Sequence, residues 1–298
     1  MSNTKNISVV LVNWFSSDHI LRVILNLQKK AYNSHDLFFI IIDNTNGKDK
    51  KLYKLISQLN KTIIIPYLPK SKQRSISHSL GLDRAMREVT SVYTLIIDPD
   101  TYVFQKNWDL FCINKINNGD IAIGAAYPNW KLGKVHDFPS PIFFFSKTDW
   151  ILTEKTSWFP YPNKLKRLSN FFLRKFVRLF GLATRKRLNN NILIKALSYY
   201  LESFTGISSP DTGHQFYIKA KKNNLNSTIF KSYNFLENKN KYNDKLIKLS
   251  NEFELYFYNN TPFFTHQYSS NIFYYKMSNN PDNWIKYIQE LENCNEEV

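Results

Sequence analysis

Three runs, apolar but for Ser8 and Thr94 and each ending in a polar side chain, constrain this chain more than any other feature. Residues 7–12 (Ile-Ser-Val-Val-Leu-Val) run into Asn13, residues 37–42 (Leu-Phe-Phe-Ile-Ile-Ile) into Asp43-Asn44, and residues 92–97 (Val-Tyr-Thr-Leu-Ile-Ile) into Asp98. A strand with one wet face alternates apolar and polar residues, so runs without alternation predict strands covered on both faces. Helical spacing fills the gaps. Leu21, Ile24, Leu25 and Leu27 follow Asp18, which is placed to cap a helix. Residues 51–59 read as a helix, 62–65 as a short strand stopped by Pro66, and Leu80, Leu82, Ala85, Met86 and Val89 mark a helix over 77–89. Strand and helix in alternation predict a Rossmann-like α/β fold: a mostly parallel central sheet flanked by helices. Ligands of such sheets bind beyond the carboxyl ends of the strands. Asn13, Asp43 and Asp98 all fall at those ends.

The second half is more irregular. Strands are expected at 121–126 and 142–145, and helices at 164–180 with Gly181 as a stop, at 189–201 and from Thr212. Residues 233–250 read as polar loop with some helix, and 282–292 as an amphipathic helix. Without an internal repeat or a clean linker, the expected organisation is one unit over 1–230 with a C-terminal extension, 231–298, packed on it.

Bulk properties narrow the class. A hydrophobic content of 43% with 21% charged residues belongs to a globular chain. Cys112 and Cys294 lie far apart, so neither a disulfide framework nor a cysteine metal site is indicated. Residues 1–6 lack the apolar core of a signal peptide, and the apolar runs are too short to span a bilayer. The expected location is cytoplasmic, with a peripheral place on the inner face of the membrane as its variant.

The net charge of +16 favours polyanions, and it is concentrated: residues 164–187 hold nine Lys or Arg and no acid. Leu165, Leu168, Phe172, Phe176 and Leu179 recur there at helical spacing. One reading is a helix lying against an anionic membrane surface. The other is a solvated helix covering the domain's own core. No nucleic-acid module is recognised, so no nucleic-acid partner is expected.

The densest chemical signal is Thr94-Leu-Ile-Ile-Asp98-Pro99-Asp100-Thr101. Residues two apart in an extended chain point the same way, and Pro99 discourages continuation as a central strand. Two carboxylates so close repel unless a cation intervenes. Mg²⁺ or Mn²⁺, held by one or two carboxylates and phosphate oxygens, resolves that conflict. The plain alternative is a solvated acidic turn.

Taken together, the segments Ser8-Val-Val-Leu-Val-Asn13-Trp, Phe39-Ile-Ile-Ile-Asp43-Asn44 and Leu95-Ile-Ile-Asp98-Pro99-Asp100-Thr101 resemble the family 2-type glycosyltransferases of the GT-A fold. The resemblance covers about the first 105 residues well and the rest loosely. It implies that 1–105 form a nucleotide-sugar-binding half and 106–230 an acceptor-side half. It also implies that Asn13 and Asp43, with Asn44, face the base and ribose, and that Asp98 and Asp100 hold the metal and the donor diphosphate. By itself Asp43-Asn44 reads as a turn or a cap.

Where relatives carry an Asn-x-Gly-type segment, this chain has Ser75-Ile-Ser77-His78-Ser79-Leu-Gly81. His78, near a helix start, is either a phosphate donor or a structural histidine. The resemblance places an acidic base before a helix in the second half. Asp211 in Ser208-Ser-Pro210-Asp211-Thr212-Gly213-His214 matches, Glu202 is the runner-up, and the Q-x-x-R-W signature of relatives is missing. Asp211 equally reads as a helix cap. A late histidine, His266, is a candidate third metal ligand, and imidazole suits Mn²⁺ better than Mg²⁺.

The implied activity is inverting transfer from a nucleoside-diphosphate sugar to a glycan or lipid-linked acceptor, as in surface polysaccharide assembly, with Trp130 or Trp158 stacking on sugar. Two alternatives stand beside it. A nucleotidyltransferase wants a Gly-rich phosphate loop, and this chain has no glycine before Gly47. A non-catalytic binding protein would keep the nucleotide site without turnover.

Overall fold

One sheet organises the molecule, and three of its first four strands, Ile7–Asn13, Leu37–Asp43 and Tyr93–Ile97, follow from the apolar runs. The structure is a computed structural model describing residues 6–71, 73–128, 134–153, 156–177, 179–180, 191–205, 210–232, 244–267 and 281–295. Strands β1 (Ile7–Asn13), β2 (Leu37–Asp43), β3 (Thr62–Pro66) and β4 (Tyr93–Ile97) are parallel, in the spatial order β3-β2-β1-β4. Helices α1 (Ser17–Lys30), α2 (Lys50–Ile56) and α3 (Arg74–Ala85) make the crossovers. Ile7, Val9 and Leu11 of β1 pack with Ile20, Val23 and Leu27 of α1, while Val10 and Val12 on the other face pack with Leu82 and Ala85 of α3. Burial on both faces is why these strands do not alternate.

Further along the chain come β5 (Thr101–Val103), α4 (Trp108–Asn117), β6 (Ala122–Ala125), β7 (Phe143–Lys147) and α5 (Thr148–Thr153). They are followed by α6 (Lys164–Val177), α7 (Ile192–Thr205), α8 (His214–Lys222) and β8 (Ser227–Ser232). The chain finishes with α9 (Asp244–Glu252), β9 (Glu254–Tyr258), β10 (Thr261–His266) and α10 (Pro281–Asn295). β7 pairs antiparallel with β4 and β6, and β8 lies parallel to β6. β9, β10 and β5 then complete the ten-stranded order as antiparallel neighbours. The fold is therefore α/β, with parallel strands at its nucleus and antiparallel pairing towards the β5 edge.

Residues 254–266 thus belong to the same sheet as β1. The third apolar cluster, with Leu249, Leu255, Trp284 and Ile288, covers that end. Among the described residues no helix is long and apolar enough to cross a membrane.

Three local expectations are corrected. Asp18 does not cap α1: Ser16 holds the N-cap position, and Asp18, in the first turn, pairs with Lys51 at 2.6 Å. α3 begins at Arg74, so His78 sits a turn into the helix, away from its free N–H groups. α8 begins at His214 behind Gly213, whose φ of +82° suits a residue without a Cβ. Asp211 is therefore not its cap.

Candidate functional site

The site is built where the parallel strands end. Asn13 and Asp43 are cross-strand partners, and their side chains are hydrogen-bonded, Nδ2 to Oδ1, at 2.9 Å. Asp43 Oδ1 also accepts from the amide and hydroxyl of Thr45, at 3.1 and 2.6 Å. Its Oδ2 accepts from the Gly47 amide at 2.8 Å and the Tyr53 hydroxyl at 2.9 Å. Burial would raise this carboxyl, but the donors prevail and hold it below the usual range. Burial and the same carboxylate push Tyr53 up to about 12.

Asn13 and Asp43 have no exposed surface. They brace the loops after β1 and β2. What the first loop exposes is Trp14 and Phe15, 63% and 59% accessible, with Phe15 in the left-handed region at φ 54°. Asn13 Oδ1 anchors that loop by accepting from the Ser16 amide and hydroxyl, both at 3.0 Å.

Asn44 connects this corner to α3. Its Nδ2 donates to the carbonyl and hydroxyl oxygens of Ser77, at 3.0 and 3.2 Å. Gly81 permits the close approach, since a Cβ there would lie 3.0 Å from Asn44 Oδ1 and 3.2 Å from Val12 Cγ1. The adjacent His78 brings its Nε2 to 3.6 Å from Asp98 Oδ1. Asn44, His78 and Asp98 thus line up along one side of the site.

Asp98 and Asp100 occupy the turn between β4 and β5, with Thr101 Oγ1 donating to the Asp98 carbonyl at 2.8 Å. β5 pairs with β10 so that Thr101 lies opposite His266. That register brings His266 Nε2 to 3.2 Å from Asp100 Oδ1 and 3.8 Å from Asp98 Oδ2. Asp98, Asp100 and His266 each offer a ligand atom, all within 4.8 Å of one another.

Behind the imidazole, Glu254 Oε2 accepts from Nδ1 at 3.0 Å and from the Tyr256 hydroxyl at 2.9 Å. Burial would lower His266, but Asp100 and Glu254 outweigh it and raise the group to about 10. In return His266 overcomes the burial of Asp100 and draws it down to about 2. Asp98 is pushed up by burial, and also by Asp100 and Asp211, against the pull of His78 and His266. His19 of α1 faces Asp100 from another side; burial lowers it.

Two carboxylate oxygens and one imidazole nitrogen, the latter oriented by a buried carboxylate, are a donor set that fits a divalent cation accepting oxygen and nitrogen.

Asp211 stands close enough for its charge to act on Asp98. It forms an ion pair with Lys134 and accepts from the Tyr127 hydroxyl and from the Thr212 amide, the latter at 2.9 Å. Burial raises this carboxyl, yet Lys134 and the hydrogen bonds carry it below its ordinary value. The Tyr127 hydroxyl, hydrogen-bonded to Asp211, is pushed well up by burial and by the charges of Asp211 and Asp98. A small cleft beside Asp211 is lined by Tyr127, Lys134, Ser140, His214 and Tyr217.

The structure therefore brings together His78, Asp98, Asp100, His266 and Asp211, with Asn44 tied to Ser77 next to His78. Sequence reading missed Glu254, His19, Lys134 and Tyr127. For Glu254 a signal existed: Glu254 and Tyr256 lie two apart in an apolar stretch, where an acid needs a buried partner. Trp158 is not available to stack on sugar; it is 1% exposed and packs on Phe216 at 4.4 Å in the core. Trp130 lies outside the described residues, as does the side chain of Glu202 on α7.

No family model matches the sequence, and no curated protein matches it. Several solved structures are similar at low identity. The S. aureus TarS 1-349 structure aligns at 13% identity over 51% of this chain and 50% of that chain, with a TM-score of 0.38. Its complex with UDP-GlcNAc aligns at 13% over 51% and 48%, with a TM-score of 0.37. The mannosyltransferase PcManGT from Pyrobaculum calidifontis, in complex with GDP-Man and Mn²⁺, aligns at 8% over 73% and 79%, with a TM-score of 0.42. This chain thus spans about half the length of the TarS 1-349 chain.

Proposed function

We propose that this chain is a metal-dependent glycosyltransferase that moves a sugar from a nucleoside-diphosphate sugar to a hydroxyl of a glycan or lipid-linked acceptor, with inversion. The observation that carries the proposal is the convergence of Asp98, Asp100 and His266 within 4.8 Å at the edge where β1, β2 and β4 end, with Asp211 beside them. A cleft at that edge is where an α/β sheet of this kind binds its ligand.

Asp98, Asp100 and His266 would hold Mn²⁺ or Mg²⁺, the imidazole favouring Mn²⁺. Such a cation, when bound, neutralises the charge that a departing diphosphate gathers. Glu254 fixes the imidazole so that Nε2 faces the carboxylates. His78 adds a donor on the diphosphate side. Asn13, Asp43 and Asn44 act on the nucleoside end by holding the 14–16 loop and the start of α3, so that Trp14 offers a flat face for the base.

Asp211 is the base. As the acceptor oxygen bonds to C1 and the bond from C1 to the diphosphate oxygen breaks, the acceptor proton passes to this carboxylate. Lys134 and Tyr127 keep it ionised and aimed.

Purified protein would be incubated with Mn²⁺ and UDP-, GDP- or dTDP-sugars, and donor hydrolysis or transfer measured. Turnover of one donor is expected, abolished by chelation and in the Asp98→Ala, Asp100→Ala variant. Undiminished turnover in that variant under chelation would overturn the metal assignment, and nucleotide binding without turnover would favour a binding protein.

A further inference from the structure

Helices α6 and α7 turn their apolar faces away from the protein. On α6, Leu165, Leu168, Phe172 and Phe176 recur along one side and are 54–79% exposed. The opposite side meets the body of the molecule. There Val177 is buried, Arg167 donates to Gln73 Oε1 at 2.9 Å, and Asn170 Oδ1 accepts from the Tyr161 hydroxyl at 3.4 Å. The reading of this segment as a cover for the domain's own core is therefore not met. α7 has the same inversion. Leu193, Leu197, Tyr200 and Phe204 form a stripe at 49–79% exposure, whereas Ser198 faces inward and is fully buried. An amphipathic helix ordinarily buries its apolar stripe. Two adjoining helices with the stripe outward mark an interaction surface.

We propose that α6 and α7 form a docking surface for an anionic lipid bilayer. Charge selects this occupant. α6 carries Lys164, Lys166, Arg167, Arg174 and Lys175 and no acid, and Lys164, Lys166 and Lys175 are exposed beside the apolar stripe. A bilayer bearing acidic headgroups provides an apolar layer for Leu and Phe and negative charge for the lysines at one plane. Lysine stems lie along the apolar surface while their ammonium groups reach the phosphates. A second copy of the chain would set this positive patch against itself and oppose the apolar gain. Attachment is peripheral, because no described helix is long and apolar enough to cross. The proposal is independent of the reaction proposed above.

The full chain would be sedimented with vesicles of phosphatidylcholine alone and of phosphatidylcholine with roughly a third phosphatidylglycerol, across a salt series. Binding is expected to the anionic vesicles, weakening as salt rises. It should fall at least about tenfold in Lys166→Glu, Lys175→Glu and in Phe172→Ser, Phe176→Ser, Leu197→Ser, Phe204→Ser. Circular dichroism checks folding of both. Should the apolar variant fail to fold, the charge variant and the salt series on the wild type decide the matter. Absence of binding to anionic vesicles, or equal binding to neutral ones, would overturn the proposal. So would a wild-type dimer in sedimentation equilibrium that the charge variant leaves intact and the apolar variant dissolves.

Discussion

Glu254 and His266 form a buried pair, carboxylate Oε2 to imidazole Nδ1 at 3.0 Å, that points the other ring nitrogen at Asp100. The strands that carry them, β9 and β10, are adjacent, and Glu254 is the cross-strand partner of His266. The orientation of the imidazole is therefore set by strand register before any ligand arrives.

Replacing Glu254 with Gln leaves the shape of that pair and removes its charge. Mn²⁺ affinity should fall by about 10–100-fold, the usual cost of losing a carboxylate behind a metal-bound histidine. Titration calorimetry with Mn²⁺ measures it directly, separate from turnover. An unchanged affinity would place His266 outside the metal site.

If Asp211 is the base, Lys134 should set the acid limit of activity. Its ammonium holds Asp211 below the ordinary carboxylate range. Lys134→Met should raise that pKa, so the protonated, inactive form would set in at a higher pH than in the wild type. The acidic limb of kcat against pH moves upward accordingly. Asp211→Asn should lose about 10²–10⁴-fold in transfer while retaining donor binding. A limb that stays in place in Lys134→Met argues against Asp211 as the base.

Asp43 is a structural anchor with a pH signature. Its folded pKa lies below the ordinary 3.8, so the stability it contributes is complete above 3.8 and fades as pH falls through the folded value. Asp43→Asn should cost roughly 2–3 kcal/mol near neutrality, because buried donors lose a charged acceptor. That deficit should shrink below pH 3.8. Urea unfolding at several pH values tests both; a deficit independent of pH would assign the loss to packing.

Gly81 sits where a Cβ would be tight, 3.0 Å from Asn44 Oδ1 and 3.2 Å from Val12 Cγ1. A Val side chain there would wedge α3 away from Asn44 and Val12, at a cost of about 1–3 kcal/mol. Thermal unfolding of Gly81→Val should show a lower Tm, and a Tm equal to the wild type would mean that α3 can shift freely.

The apolar runs at 7–12, 37–42 and 92–97 announced the parallel nucleus, because a strand buried on both faces holds few polar side chains, here only the small Ser8 and Thr94. They also announced the edge where Asn13, Asp43 and Asp98 emerge. The roles within that edge were less legible. Asp43, by itself a turn or cap and by resemblance a nucleoside contact, accepts from five donors of its own chain. Asp211 offered two readings, a base or a helix cap, and Gly213 holds the cap position.

Local pattern thus determined by itself the strands and helices of the parallel nucleus and the end of the sheet where its polar residues emerge, since periodicity and burial act over a few residues. By contrast, β5, β8, β9, β10, α4 and α5 carried no such expectation. Only the tertiary structure decided which distant side chains meet there. His266 reaches Asp100 across 166 positions because β10 pairs with β5, and Lys134 finds Asp211 across 77. The outward turn of the α6 stripe was settled the same way. Amphipathicity states that a helix has an apolar face, while contacts such as Arg167 with Gln73 choose where that face points.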